Sequence, residues 1–136
     1  MRAATAVLTL AAFGLVACGQ DEFANNPRPA TAIELSGVIH EEKVTVSPRK
    51  LGAGPVTITV SNQTDDPHTI TLVGDRTKAE IGPINPLDTG TIQKTLEPGI
   101  YEIKAGSAKA VTREIRPAEL EIGEQRKSSA DQVELP

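Results

Sequence analysis

Pro55-Val56-Thr57-Ile58-Thr59-Val60-Ser61-Asn62-Gln63-Thr64-Asp65-Asp66-Pro67-His68-Thr69-Ile70-Thr71-Leu72 is the stretch on which the fold turns. Val56, Ile58 and Val60 alternate with Thr57, Thr59 and Ser61, the period of two expected of a strand buried on one face. Gln63 to Pro67 is turn chemistry: Asx side chains that bond their own backbone, and a proline that pushes the residue before it out of the helical region. The second strand then sets His68, Ile70 and Leu72 on one face, which places the histidine at the rim of the core side.

Outward from this pair the same pattern recurs in short pieces. Ile33 to His40 reads as a short strand and Lys43 to Ser47 as a better one, closed by Pro48. Arg49 to Gly54 reads as a connector. Gly74 to Asp88 reads as irregular, punctuated by Gly82, Pro83 and Pro86. Gly90 to Leu96, Ile100 to Lys104 and Ala108 to Ile115 complete the set. Beyond the N-terminal apolar run no segment sustains a 3.6-residue apolar period, so long helices are not expected. Seven or so short strands broken by Gly and Pro turns predict an all-β, Greek-key β-sandwich in a single domain. Tyr101, just after the Pro98-Gly99 turn, is placed like the tyrosine of a tyrosine corner, whose hydroxyl bonds back to nearby backbone. Aromatic residues are scarce, so Val, Ile and Leu must build the core.

The chain has 136 residues and a net charge of −4. It opens Met1-Arg2, and Ala3 to Ala17 is apolar or small, too short to cross the ~30 Å of a bilayer's hydrocarbon but suited to a signal-peptide core. Leu15-Val16-Ala17-Cys18-Gly19 resembles the lipobox of bacterial prolipoproteins, in which the cysteine is acylated and becomes the first residue of the mature protein. The resemblance implies lipidation at Cys18 and anchoring to the extracytoplasmic side of the cell membrane. It also implies a signal peptide over 1–17, and the composition and strand pattern divide the rest into a flexible tether 18–32, a β-sandwich 33–116 and an extended C-terminal tail 117–136. Cys18 is the only cysteine, so no disulfide is expected. The mature chain carries 13 basic against 18 acidic side chains, a balance unsuited to nucleic acid, which needs clustered Lys and Arg. Attachment through lipid rather than through charge follows from the same balance.

Gly54-Pro55 opening a strand, Asn62, the short polar turn, His68, and Leu96-Glu97-Pro98-Gly99-Ile100-Tyr101 resemble the middle of a cupredoxin domain over about Lys43 to Ile115. By that resemblance Asn62 is a structural asparagine and His68 stands at the first copper ligand. The remaining ligands belong after Tyr101, in a loop bearing Cys, a second His and usually Met. Here the loop reads Ile103-Lys104-Ala105-Gly106-Ser107-Ala108-Lys109-Ala110, with none of the three. A blue-copper centre needs a thiolate and two imidazoles, so a cupredoxin-like domain without that centre is expected, and no cofactor with it.

Two readings of His68 stay open. In one, Asp65 and Asp66 cap the turn and His68 hydrogen-bonds at the strand start. In the other, His68, Asp66 and His40 form a weak, non-blue site for divalent copper or zinc. No enzyme is expected: Ser107, Ser128 and Ser129 lack a Gly-x-Ser-x-Gly context, and Glu41-Glu42 and Asp65-Asp66 suit solvated turns better than acid–base chemistry. The expectation is a binding module of the cell envelope, taking an envelope protein or small ligand through the loops Gln63–His68, Gly74–Asp88 and Ala105–Ser107, with Asp65, Asp66 and His68 as the contact residues.

Overall fold

A computed structural model describes residues 30–107 and 114–128. The described residues form eight strands and no helix: β1 (Ile33–Ile39), β2 (Val44–Ser47), β3 (Lys50–Asn62), β4 (His68–Val73), β5 (Lys78–Ile84), β6 (Thr89–Leu96), β7 (Gly99–Gly106) and β8 (Ala118–Gln125). The all-β class expected from the alternation is what forms. Signal peptide, Cys18 and the tether up to residue 29 lie outside the described residues, as do residues 108–113 and 129–136.

The strands make two layers joined through β3. One layer runs β2-β1-β3-β6 and the other β3-β8-β7-β4-β5. β1 and β8 run parallel to β3, and the other pairings are antiparallel. β3 is thirteen residues long because it serves both layers: Lys50 to Ala53 pairs β8, Gly54 to Ser61 pairs β6 and Val56 to Asn62 pairs β1. The expected connector at Arg49–Gly54 is therefore corrected from Lys50 onward. It is strand, with a register break between Gly52 and Ala53 and a corner at Gly54, whose φ of 137° suits glycine alone.

Alternation sets the core. Val56, Ile58 and Val60 are buried on β3, as Ile70 and Leu72 are on β4, and they meet Leu35, Ile39, Ile92, Ile103, Leu120 and Ile122 in one cluster. Each such side chain contributes about 1.5–3 kcal/mol by leaving water. Tyr101 closes one end of this core. Its hydroxyl donates to the Glu97 carbonyl at 3.0 Å and accepts from the Glu97 N–H at 3.2 Å, the corner expected from the sequence. A β-carbon at Gly74 would sit 2.5 Å from the Tyr101 ring, so the chain can pass there only as glycine.

Two further expectations are corrected. Gly74 to Asp88 is not irregular throughout: Lys78–Ile84 is β5, an edge strand, where Pro83 interrupts no second ladder. The extended tail read over 117–136 is corrected at Ala118–Gln125, which is β8, a strand inside the sheet between β3 and β7. Ala118, Leu120 and Ile122 face the core and Glu119 and Glu121 face solvent, so the period of two was present in the sequence there too. Arg126 follows immediately. Its guanidinium donates to the carbonyls of Gly52, Ala53 and Pro55 around the β3 corner, and to that of Thr31 at 2.6 Å where the chain enters the domain.

Candidate functional site

The registers give the molecule two ends. β1 enters with Ile33 beside Val56 and finishes with Ile39 beside Asn62. Ala30 to Ala32 thus lie at the end that holds the β3 corner and Arg126. The other end gathers the 40–43 turn, the 63–67 loop, the 85–88 turn and, of the residues between β7 and β8, Ser107 and Glu114 to Pro117.

Asn62 organises that far end. It is fully buried at the last position of β3, so its polar side chain must be satisfied internally. Nδ2 donates to the carbonyls of Asp66 at 2.7 Å and Ile84 at 2.9 Å, and Oδ1 accepts from the Thr64 N–H at 3.0 Å. The Thr64 hydroxyl stands 2.8 Å from Asn62 Oδ1 and 3.0 Å from the Asp66 carbonyl. The backbone of Asn62 meets Asp88 and Leu87, and Gln63 donates to the Ile39 carbonyl at 3.0 Å. One side chain thus ties the loop leaving β3 to the end of β5, and its backbone ties in the turn after β5. Leu87 in that turn has φ +63° and is 83% exposed, an apolar side chain on strained backbone.

His68 begins β4, facing the core with Ile70 and Leu72 as its spacing required. It is 2% exposed, and its Nδ1 is the one buried side-chain polar atom among the described residues without a hydrogen-bond partner. The hydrogen bond expected of His68 at the strand start is not made by this nitrogen. His68 borders a pocket of about 450 Å³ with Lys104, Ser107, Glu114 and Ile115, alongside Glu102, whose carboxylate pairs with Lys104 at 2.8 Å.

The other sequence-expected residues are dispersed. Asp65 and Asp66 are exposed, and it is the Asp66 backbone, not its carboxylate, that joins the Asn62 network. His40 is exposed and lines a separate pocket with Glu41, Glu42, Lys43, Thr45 and Gln63. Among the described residues no three His, Cys, Asp or Glu side chains gather in a way that could hold a metal ion, so His68, Asp66 and His40 do not form one site. The donor set at His68 does not fit a blue-copper centre: the connection after β7 supplies no Cys, His or Met at any of residues 107–117. The loops are redistributed as well. Of the expected surface Gly74–Asp88, the 74–77 turn lies at the tether end, near Tyr101 and Glu97, and only residues 85–88 stand at the His68 end. Thr64 and Leu87 were missed by sequence reading, as was Arg126, whose partners are all backbone carbonyls.

The chain is similar to the solved structure described as a blue copper oxidase from Nitrosomonas europaea, with 19% sequence identity and a TM-score of 0.47, over 75% of this chain and 42% of that one. It spans less than half the length of that protein. No protein-family model matches the chain, and no curated protein matches it either.

Proposed function

We propose that this chain is a bacterial lipoprotein, anchored through Cys18 on the extracytoplasmic side of the cell membrane, whose cupredoxin-like domain works as a binding module without blue copper. The observation that supports it is the polarity of the domain. The chain enters at the end clamped by Arg126, and the loops tied together by Asn62, with the pocket at His68, stand at the opposite end. A lipid at Cys18 would thus hold the tether end toward the bilayer and turn the His68 end outward.

Two measurements on the full chain in its bacterial host test this. Cys18→Ser is expected to move the protein from the detergent phase to the aqueous phase on Triton X-114 partition, and an unchanged partition rules out the anchor. Cross-links to envelope components in intact cells are expected to fall when Asp65 and Asp66 are changed to alanine together with His68→Ala. Cross-links unaffected by all three changes, in a protein of unchanged circular dichroism, rule out this end as the binding surface.

The unpartnered Nδ1 of His68 favours a second reading, weak divalent copper or zinc binding at that residue. Calorimetric titration of the chain with Cu²⁺ and Zn²⁺ decides it. Stoichiometric binding lost in His68→Ala establishes a non-blue metal site, and binding indifferent to His68, or none, removes it.

A further inference from the structure

We infer that the outer face of the β2-β1-β3-β6 layer is a binding surface for an uncharged polysaccharide strand. The inference does not depend on the His68 end, and it starts from how the registers align side chains. Ser47, Ser36, Thr59 and Thr91 form one row across the four strands. Thr45, Val38, Ser61 and Thr89 form the next, and Glu34, Thr57 and Gln93 the third. All of these are exposed or half-buried. Hydroxyls therefore stand on all four strands in the first row, about 4.8 Å apart, and on all but β1 in the second, where Val38 intervenes; along β3 they recur about every 6.6 Å through Thr57, Thr59 and Ser61. Thr59 Oγ1 and Thr91 Oγ1 already lie 3.3 Å apart.

The opposite face of the same sandwich is the internal control. There the aligned outward positions are charged: Lys50 beside Glu121, then Glu119, Glu102 and, across Val73, Lys78, then Lys104 and, across Thr71, Glu80. Ion pairs form on it, Lys50 to Glu121 at 2.6 Å and Lys104 to Glu102 at 2.8 Å. Solubility alone is met by charges there. On the hydroxyl face the three rows contain one charge, Glu34, at their margin.

That chemistry selects a partner. A hydroxyl both donates and accepts, so a grid of them satisfies a partner that also does both at every position, as a polyhydroxyl chain does. Without Lys or Arg in the rows the face has no donor fork for phosphate or carboxylate, and a chain of net charge −4 repels anionic polymers but not neutral ones. Among the described residues the two exposed large apolar side chains, Leu87 and Ile100, lie off this face, so these rows offer no apolar patch for a protein to cover. Thr and Ser are short, and Thr is stiff at χ1, so little rotamer freedom is lost when the face is covered, unlike a face of Lys and Glu.

The test is affinity electrophoresis of the full chain in non-ionic detergent, in native gels cast with dextran, hydroxyethylcellulose or polygalacturonate. Retardation by at least one neutral polymer and none by polygalacturonate is expected. The double variant Thr59→Val, Thr91→Val, which keeps shape and removes the central hydroxyls, is expected to weaken that retardation at least tenfold. Lys50→Thr with Glu121→Thr on the opposite face is expected to leave it unchanged. Should the valine pair not fold by circular dichroism, Thr91→Ala at the exposed β6 position is the reporter, with at least a threefold loss expected. No retardation by either neutral polymer, preference for polygalacturonate, or retardation unaltered in a folded face variant each overturns the inference.

Discussion

Asn62 shows what a single position decides in this domain. Both protons of its amide reach carbonyls in separate segments, and its oxygen holds Thr64. Asn62→Ala leaves buried groups unpaired on the 63–67 loop and at Ile84, and is expected to lower stability by about 2–4 kcal/mol, read from the urea midpoint. Gly74→Ala drives a methyl to within 2.5 Å of the Tyr101 ring and is expected to cost about 1–3 kcal/mol by the same measurement. Leu87 works in the other direction. A leucine at φ +63° bears strain of about 1 kcal/mol or more that glycine does not, so Leu87→Gly is expected to hold or raise stability while removing an exposed apolar side chain. At this scale the sequence was informative where a motif marked the residue, through the family resemblance for Asn62 and the Pro-Gly turn for Tyr101, and not at Thr64, though its partners are two residues away. Asn62 with Thr64 and Asp66, and Tyr101 with Glu97, are local, and Asn62 and Tyr101 were legible. Arg126 was not, because its partners are carbonyls more than seventy residues away and leave no side-chain signature.

Among the elements, the strands with clean alternation and closing turns were read, and two were not. β5 was hidden by Gly82 and Pro83, residues an edge strand tolerates because only one side of it is paired. β8 was hidden by its surroundings: Ala118-Glu119-Leu120-Glu121-Ile122 alternates, but it sits in a polar, proline-flanked segment that reads as a tail. The structure gives it two paired neighbours, so a chain ending at Pro117 is expected to lack cooperative unfolding altogether rather than to lose a dispensable end, as urea titration would show. Arg126→Ala tests the clamp at the end of the same strand. It removes charge-assisted bonds to the β3 corner, with an expected loss of about 2 kcal/mol, and Arg126→Lys is expected to recover little because an ammonium lacks the planar fork.

Taken as a whole molecule, the domain is two layers that share a strand. Neither layer is complete without β3, so the two are expected to unfold together. The chain has one tyrosine and no tryptophan, which makes Tyr101 fluorescence a report on one end of the core. It and far-ultraviolet circular dichroism are expected to give coincident urea transitions, and separate midpoints would show layers that open independently. The candidate site was half legible at this scale: His68 and its burial followed from the strand period. Its separation from His40, and the placing of only residues 85–88 of Gly74–Asp88 at its end, depended on which strands became neighbours, which no local pattern encodes. The position of β8 also sets an order in time. Of the eight strands it is the last a ribosome delivers, yet it fills the place between two strands made earlier, so a growing chain cannot close its second layer until β8 has emerged. Until then β3 and β7 lack the strand that joins them, so the layer built last in the chain is also the last that can acquire its hydrogen bonds.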